Sequence, residues 1–331
     1  MRMIRFVALI LALAGFVSPA VAQEAAPNRP TVPKGFVGDF DVKYVPDGDD
    51  AQVLDVYYPE TPAEKPLPLL VWIHGGGWMG GSKGNPPYLS LLKRGYTVAS
   101  IEYRFSQKAP FPAQIQDCQA AIRFLRANAK KYSIDPEKIG VGGGSAGGHL
   151  AALVGTAGGK NAFPKIGGNE DQSDRAQCVC DIFGPANFWT VIKQAEEDQN
   201  VKNIFKWNNG DPYSKLIAGR LGEDKEKCEA VSPVTYVSKD NPPFLILHGD
   251  HDPLVPFAQS VELKEKLAAA GVEVILQKLP GAGHGGAQFA HPQILELTFN
   301  FFEKHLKGAD VKVEPIPESV LAAKPAEPAT K

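Results

Sequence analysis

The chain has 331 residues, 44% of them hydrophobic and 22% charged, a balance that suits one large globular domain rather than a fibre or a disordered polymer. Its 35 basic and 37 acidic residues nearly cancel, and basic residues form no run beyond short isolated pairs. Nucleic acid is therefore not an expected partner.

The chain opens with Met1-Arg2-Met3-Ile4-Arg5, an apolar stretch from residue 6 to 17, and Ala20-Val21-Ala22 before Gln23. That is the three-part pattern of an export signal, with cleavage expected after Ala22 and a secreted or periplasmic destination. A dozen apolar residues are too few to span about 30 Å of hydrocarbon, so no membrane anchor is expected. Residues 23–36 are expected to be a flexible segment. Residues 37–307 are read as the folded domain, and 308–331, rich in Pro, Ala, Lys and Glu, as a disordered tail.

Within the domain, strand patterns fall at 38–44, 51–58, 67–73, 97–103, 138–141, 179–183, 244–247 and 272–279. Helical patterns intervene at 88–94, 112–132, 146–156, 256–270 and 288–306. Several later strands are short and almost wholly apolar, as in a parallel sheet covered on both faces. The first two alternate and suit an antiparallel edge. In the second helix Ile115, Cys118, Ile122, Leu125 and Ala129 define one apolar face. Asp135-Pro136 reads as a turn before the next strand. The pattern weakens over 184–231, which is read as an insertion lying over the strand ends, between the sixth and seventh strands.

Four strand ends carry chemistry. After the strand at 67–73 comes His74-Gly75-Gly76-Gly77-Trp78, where bare backbone N–H groups can face a developing oxyanion. The N–H groups of Gly76, Gly77 and Ala146 are assigned to that role, and His74 to fixing the loop. Trp78 either walls a substrate pocket or belongs to the core. After the strand at 138–141, Gly143-Gly144-Ser145-Ala146-Gly147 has the G-x-S-x-G form of a tight strand-to-helix turn that projects a serine. The same glycines formally satisfy G-x-G-x-x-G from Gly142, but no Gly-Lys-Ser or Gly-Lys-Thr follows and a dinucleotide site leaves the later Asp and His unexplained.

The strand at 244–247 ends in His248-Gly249-Asp250-His251-Asp252. Asp252 is preferred over Asp250 as the orienting carboxylate, because Asp250 is closer to the strand and placed to close the turn through its own backbone. Three adjacent residues do not readily converge on one ion, so no metal is expected there. The last strand leads into Pro280-Gly281-Ala282-Gly283-His284, and His284 is the expected general base. His149, His291 and His305 fall on helices or their edges and read as packing or surface residues. Four cysteines, Cys118, Cys178, Cys180 and Cys228, allow three pairings or none. A bridge between Cys178 and Cys180 is disfavoured by strand geometry, and zinc spacing is absent.

With Ser145, Asp252 and His284 in that order, the chain resembles α/β-hydrolases of the carboxylesterase type, in the group that includes hormone-sensitive-lipase-like esterases and bacterial feruloyl or acetyl-xylan esterases. The shared residues are 74–78, 143–149, Asp252 with Val255-Pro256, and Gly283-His284, with Tyr103-Arg104-Phe105 and 111–117 as structural companions. The resemblance implies an eight-stranded, mostly parallel sheet with helices on both faces and an acyl-enzyme formed on Ser145, with no cofactor and no metal. The substrate it implies is a small-molecule or polysaccharide-linked ester, with a short acyl or aryl acid such as acetyl or feruloyl. The long amino-terminal helical cap of the hormone-sensitive-lipase group has no counterpart before the first strand, which points to the feruloyl-esterase branch and a more open site. Aromatic residues of the 183–207 stretch are candidates to contact an aryl acyl group. An arylformamidase or a prolyl-type peptidase would use the same three residues, and a non-catalytic binding protein the same scaffold.

Overall fold

The computed structural model describes residues 29–201 and 211–321. The expected signal segment 1–22 and Trp207 lie outside the described residues. Eight strands form one sheet in the order β1-β2-β4-β3-β5-β6-β7-β8. They are β1 (Phe36–Lys43), β2 (Val53–Pro59), β3 (Leu67–Ile73), β4 (Thr97–Ile101), β5 (Ile134–Gly144), β6 (Cys178–Ile182), β7 (Phe244–Gly249) and β8 (Val274–Leu279). β1 and β2 pair antiparallel, as do β2 and β4, and every pairing from β4 onward is parallel. The antiparallel edge is where the alternating pattern placed it.

Alternation along each strand sends side chains to two separate cores. From β3, Leu69, Val71 and Ile73 enter one core, which is closed by α1 (Ala113–Ala127), α2 (Ala146–Ala157) and, further along, α6 (Phe257–Ala269). Leu70 enters the other core, under a 3-10 helix at Leu89–Arg94 and α7 (Pro292–Lys307). α7 shows why such a helix docks. Ile294, Leu297, Thr298, Phe301, Phe302 and Leu306 are buried at three- and four-residue steps, each large apolar side chain contributing about 1.5–3 kcal/mol. Its ends are set by Pro292 at the first turn and by Gly308 at φ 67° just past the last. All four cysteines are buried free thiols. Cys118 and Cys228 lie in the first core, Cys178 and Cys180 in the second, so the sheet separates the two pairs.

Three expectations are corrected. Asp135-Pro136 lies within β5 as an irregularity: Leu67 pairs with Ile134, and regular pairing resumes at Leu69 with Ile139. The segment 308–321 is not a free tail, because Val313, Ile316 and Leu321 pack on the second core and Ile316 exchanges hydrogen bonds with the Gln277 side chain. At the other end Val32 joins that core and Arg29 pairs with Asp41, so the flexible reading of 23–36 fails from residue 29 onward.

Between β6 and β7 the insertion carries α3 (Val191–Glu197), α4 (Pro212–Ile217) and α5 (Lys225–Val231). α6 holds it down through polar contacts. The Gln259 side-chain oxygen Oε1 accepts the N–H groups of Ala186 and Asn187 at 2.8 Å each, and Glu262 accepts from Thr190 and Gln194 at 2.8 and 3.0 Å.

Candidate active site

Ser145 stands at the junction of β5 and α2 with φ 56° and ψ −121°, a conformation that L residues adopt only under constraint. The crowding around it explains the glycines. A Cβ on Gly147 would lie 2.0 Å from the carbonyl oxygen of Ile73, so only glycine lets α2 approach β3 this closely. The Ser145 N–H is taken by the carbonyl of Ile182, which ties the turn to β6.

His284 follows β8, in a tight loop where Gly285 N–H bonds the Gly283 carbonyl. Its Nε2 is 2.8 Å from Ser145 Oγ and its Nδ1 is 2.7 Å from Asp252 Oδ2. The three side chains therefore meet in the order the sequence suggested. Asp252, 1% exposed, also accepts the N–H groups of Leu254 and Val255 on Oδ1. Burial alone would raise its pKa, but the hydrogen bonds and proximity of His248 and His284 outweigh burial and hold the carboxyl well below the usual carboxylate range. It is thus ionised when His284 needs an anionic partner. Asp250 stays outside the site. It accepts the Gly281 N–H at 2.7 Å and pairs with His251, so it closes its turn through the neighbouring loop rather than through its own backbone.

Gly75, Gly76, Gly77, Gly144, Ser145 and His284 share the lining of one cavity of about 540 Å³. The Gly76 carbonyl accepts from Met79 and Gly80 N–H, folding the loop back on itself beside the serine. Ala146 is the first residue of α2, directly after Ser145. His74 has no contact with the triad. Its ring stacks on Tyr103 at 4.5 Å, Nε2 is 2.6 Å from Glu102 and Nδ1 2.7 Å from the Gly75 carbonyl, which fixes the loop as expected.

Trp78 satisfies both of its readings, since it lines the cavity yet is only 2% exposed. Its indole N–H donates to His149 Nδ1 at 3.1 Å, and its ring packs on Phe188 and Tyr213. His149 is buried, which lowers its pKa to about 4, and its Nε2–H donates to the Val231 carbonyl. The packing role expected of His149 is therefore specific: it joins the loop after β3 to α5. His291 caps α7 and His305 lies on it.

The remaining wall is Phe183, Pro185, Pro212, Tyr213, Leu254 and Val255. Phe183 was a candidate aryl contact, and its ring lies 4.4 Å from the His284 ring. Pro212 and Tyr213 had only an indirect signal. Asp211-Pro212 reads as a helix start, and Asp211 does cap α4, but nothing local places that helix against the serine. Among the described residues no three metal-ligating side chains cluster, and no helix is long and apolar enough to cross a membrane.

The family model BD-FAE matches residues 54–267. The chain belongs to the BD-FAE family. Esterase LipC of Mycobacterium tuberculosis is 33% identical over 291 residues, covering 83% of this chain and 68% of LipC. Among solved structures, a truncated carbohydrate esterase from gut microbiota superposes with a TM-score of 0.74 at 31% identity, covering 85% of this chain and 99% of that one. An acetyl ester-xyloside bifunctional hydrolase from Caldicellulosiruptor lactoaceticus gives 0.60 at 30% identity, over 78% of this chain and 90% of its own. This BD-FAE member is an α/β-hydrolase of the carboxylesterase type, with an eight-stranded mixed sheet of the expected kind. The BD-FAE match ends at residue 267 and so spans Ser145 and Asp252, while His284 lies beyond it.

Proposed function

We propose that the protein is an exported serine esterase that cleaves short acyl or aryl esters, such as acetyl or feruloyl groups on plant polysaccharide, through an acyl-enzyme. The observation that carries this reading is the hydrogen-bonded line from Ser145 Oγ through His284 to Asp252, at the edge of an open, largely apolar cavity. Ser145 attacks the ester carbonyl while His284 Nε2 takes its proton, and Asp252 stabilises the imidazolium that forms. The oxyanion is received by the N–H groups of Gly76, Gly77 and Ala146. His284 then gives the proton to the departing alcohol, and the acyl group stays on Ser145. Water activated by His284 releases the acid and restores the serine. Phe183, Tyr213 and Trp78 give the cavity aromatic walls, which support an aryl or small acyl group, and the relatives named as carbohydrate esterase and acetyl ester-xyloside hydrolase support a sugar-linked alcohol. Export rests on residues 1–22 and is checked by amino-terminal sequencing of the mature protein.

The test is Ser145→Ala measured on p-nitrophenyl acetate, methyl ferulate and acetylated xylan, with a fluorophosphonate label read by mass spectrometry. The variant is expected to lose at least about 10⁴-fold in kcat and all labelling, with an unchanged circular dichroism spectrum. Turnover within tenfold of wild type would sink the mechanism. A wild-type preference for long acyl chains over acetyl would contradict the substrate.

A further inference from the structure

Asp252 accepts more hydrogen bonds than the triad requires. Oδ1 takes two backbone N–H groups of its own turn, and Oδ2 takes His284. A second histidine, His248, places its Nε2 3.2 Å from the same Oδ2. His248 lies near the end of β7, four residues before Asp252, and is fully buried.

The hydrogen on His248 can be placed from its neighbours. Nε2 faces two acceptors, Asp252 Oδ2 and the Val255 carbonyl at 3.1 Å, so Nε2 carries a hydrogen. Nδ1 is 2.6 Å from Ser260 Oγ on α6, and that buried hydroxyl supplies the hydrogen there. With this arrangement every polar atom of the imidazole has a partner, and Phe257 and Phe183 pack against the ring at 5.5 and 6.4 Å. A carboxylate offers about four lone-pair sites. Two are held by the turn and a third is faced by His248 Nε2, whose hydrogen is shared between Oδ2 and the Val255 carbonyl, which leaves a single site for His284.

We propose that His248 is a positioning residue for the reaction: it clamps Oδ2 from β7 so that the remaining lone pair points at His284, and Ser260 locks His248 in the donating tautomer. The proposal rests on the reading of Asp252 as the orienting carboxylate. Removing the clamp leaves Oδ2 with His284 as its only partner, so the carboxylate can tilt within the play that the two Oδ1 hydrogen bonds allow. The imidazole of His284 then follows it away from Ser145. A misplacement of about 1 Å at a reacting group can cost on the order of 100-fold.

Two amide variants separate positioning from packing. Gln in H248Q reaches the Nε2 position and can donate to Oδ2, whereas Asn in H248N ends near the Nδ1 position and meets only Ser260. Rates are normalised to sites titrated with a fluorophosphonate, so that loss of folded enzyme does not enter kcat. For H248N the expected result is a fall of about 10- to 100-fold in kcat with KM within twofold, and for H248Q a kcat within about threefold of wild type. S260A, which frees the tautomer, is expected to lower kcat by about threefold to tenfold at unchanged KM, and it decides the matter if either amide variant fails to fold. Equal kcat values for H248N and H248Q, or S260A turnover equal to wild type, overturn the proposal while the hydrolase reading stands. A wild-type protein that takes no label on Ser145 overturns both.

Discussion

Replacing Gly76 with alanine tests the oxyanion assignment through a clash that can be measured in advance. Gly76 sits at φ 116°, outside the region open to an L side chain, and a Cβ there would lie 2.1 Å from the carbonyl oxygen of Gly80 and 2.5 Å from its carbon. Real contacts of this kind do not fall below 3.0 Å, so the loop must move by nearly an ångström. On the oxyanion assignment, its N–H is thereby moved away from the tetrahedral oxygen. One such donor is worth about 2.7–4 kcal/mol in the transition state, which converts to a 100- to 1,000-fold fall in kcat. Gly77 is the matched control. It is at φ 61°, and a Cβ there meets Pro212 at 3.4 Å, an ordinary contact, so Gly77→Ala carries a left-handed backbone strain of about 1–2 kcal/mol without displacing the loop. Its kcat is expected to stay within about tenfold of wild type. Both variants are assayed on p-nitrophenyl acetate per titrated site, with a thermal melt alongside. If Gly76→Ala keeps kcat within threefold, or if the two variants lose equally, this loop does not hold the oxyanion as assigned.

Asp181 makes stability depend on pH. Burial pushes its pKa up to about 7, its Oδ1 accepts only Gly184 N–H, and its Oδ2 has no partner. The native state therefore keeps a proton that the unfolded chain has lost from about pH 4 upward. Stability from this group declines as pH rises from about 4 to 7, by about 4 kcal/mol in all. Urea titrations at pH 4.5, 6 and 8 should show wild type losing ground to Asp181→Asn over that range, and parallel curves would refute the shift. Asp252→Asn is expected to lower kcat about 10³- to 10⁴-fold by stabilising the wrong tautomer of His284, while Asp250→Asn, which keeps the acceptor for Gly281, stays within threefold. Equal losses would reassign the carboxylate. His149→Phe removes the partner of the Trp78 indole and of the Val231 carbonyl, so it should lower unfolding free energy by about 1–3 kcal/mol and raise KM for aryl esters. A variant unchanged in both measurements would show that the Trp78 wall stands without it.

The parts of this fold legible in the sequence are those whose constraint is local. Ser145 could be read because the positions two residues to either side exclude side chains: a Cβ on Gly143 would lie 2.2 Å from the Gly147 carbonyl oxygen and one on Gly147 2.0 Å from that of Ile73. The strands of the parallel section could be read because burial on both faces leaves short apolar runs. Asp252 and His284 were legible only as strand-end residues in the right order, and their convergence depends on the adjacency of β7 and β8. What the sequence hid is set by distant partners. Val313, Ile316 and Leu321 are scattered among Pro, Lys and Glu, and they become partly buried only by packing against the second core, which α7 helps to form. Tyr213 comes to the cavity because α4 folds back over the strand ends, with Phe111 N–H bonding the Leu216 carbonyl, a contact no periodicity records. His248 stands in the strand-end motif with Asp252, but its approach to Asp252 Oδ2 at 3.2 Å arises from the turn at 249–255, which brings strand end and carboxylate together.

Three of the nine non-glycine residues at positive φ among the described residues lie at the cavity. Trp78, Ser145 and Phe183 are non-glycine residues at φ 56°, 56° and 47°, they follow β3, β5 and β6, and all three line the same space. Each conformation costs about 1–2 kcal/mol and persists only where its surroundings hold it. The hold is visible in the ladder at the carboxyl edge of the sheet: Ser145 N–H bonds the Ile182 carbonyl at the end of β6, and Phe183 N–H bonds the Leu247 carbonyl in β7. Trp78 is held by its side chain, through His149, and by its carbonyl, which accepts the Ser106 N–H. The parallel section of the sheet therefore does more than bring five loops to one side. It fixes the turns at Ser145 and Phe183 to the next strand, so that the serine is aimed at His284 and Phe183 is pressed against the His284 ring. Loosening any one rung should be felt at the next, which is why the glycine, aspartate and histidine variants are best judged by kcat per titrated site rather than by stability alone.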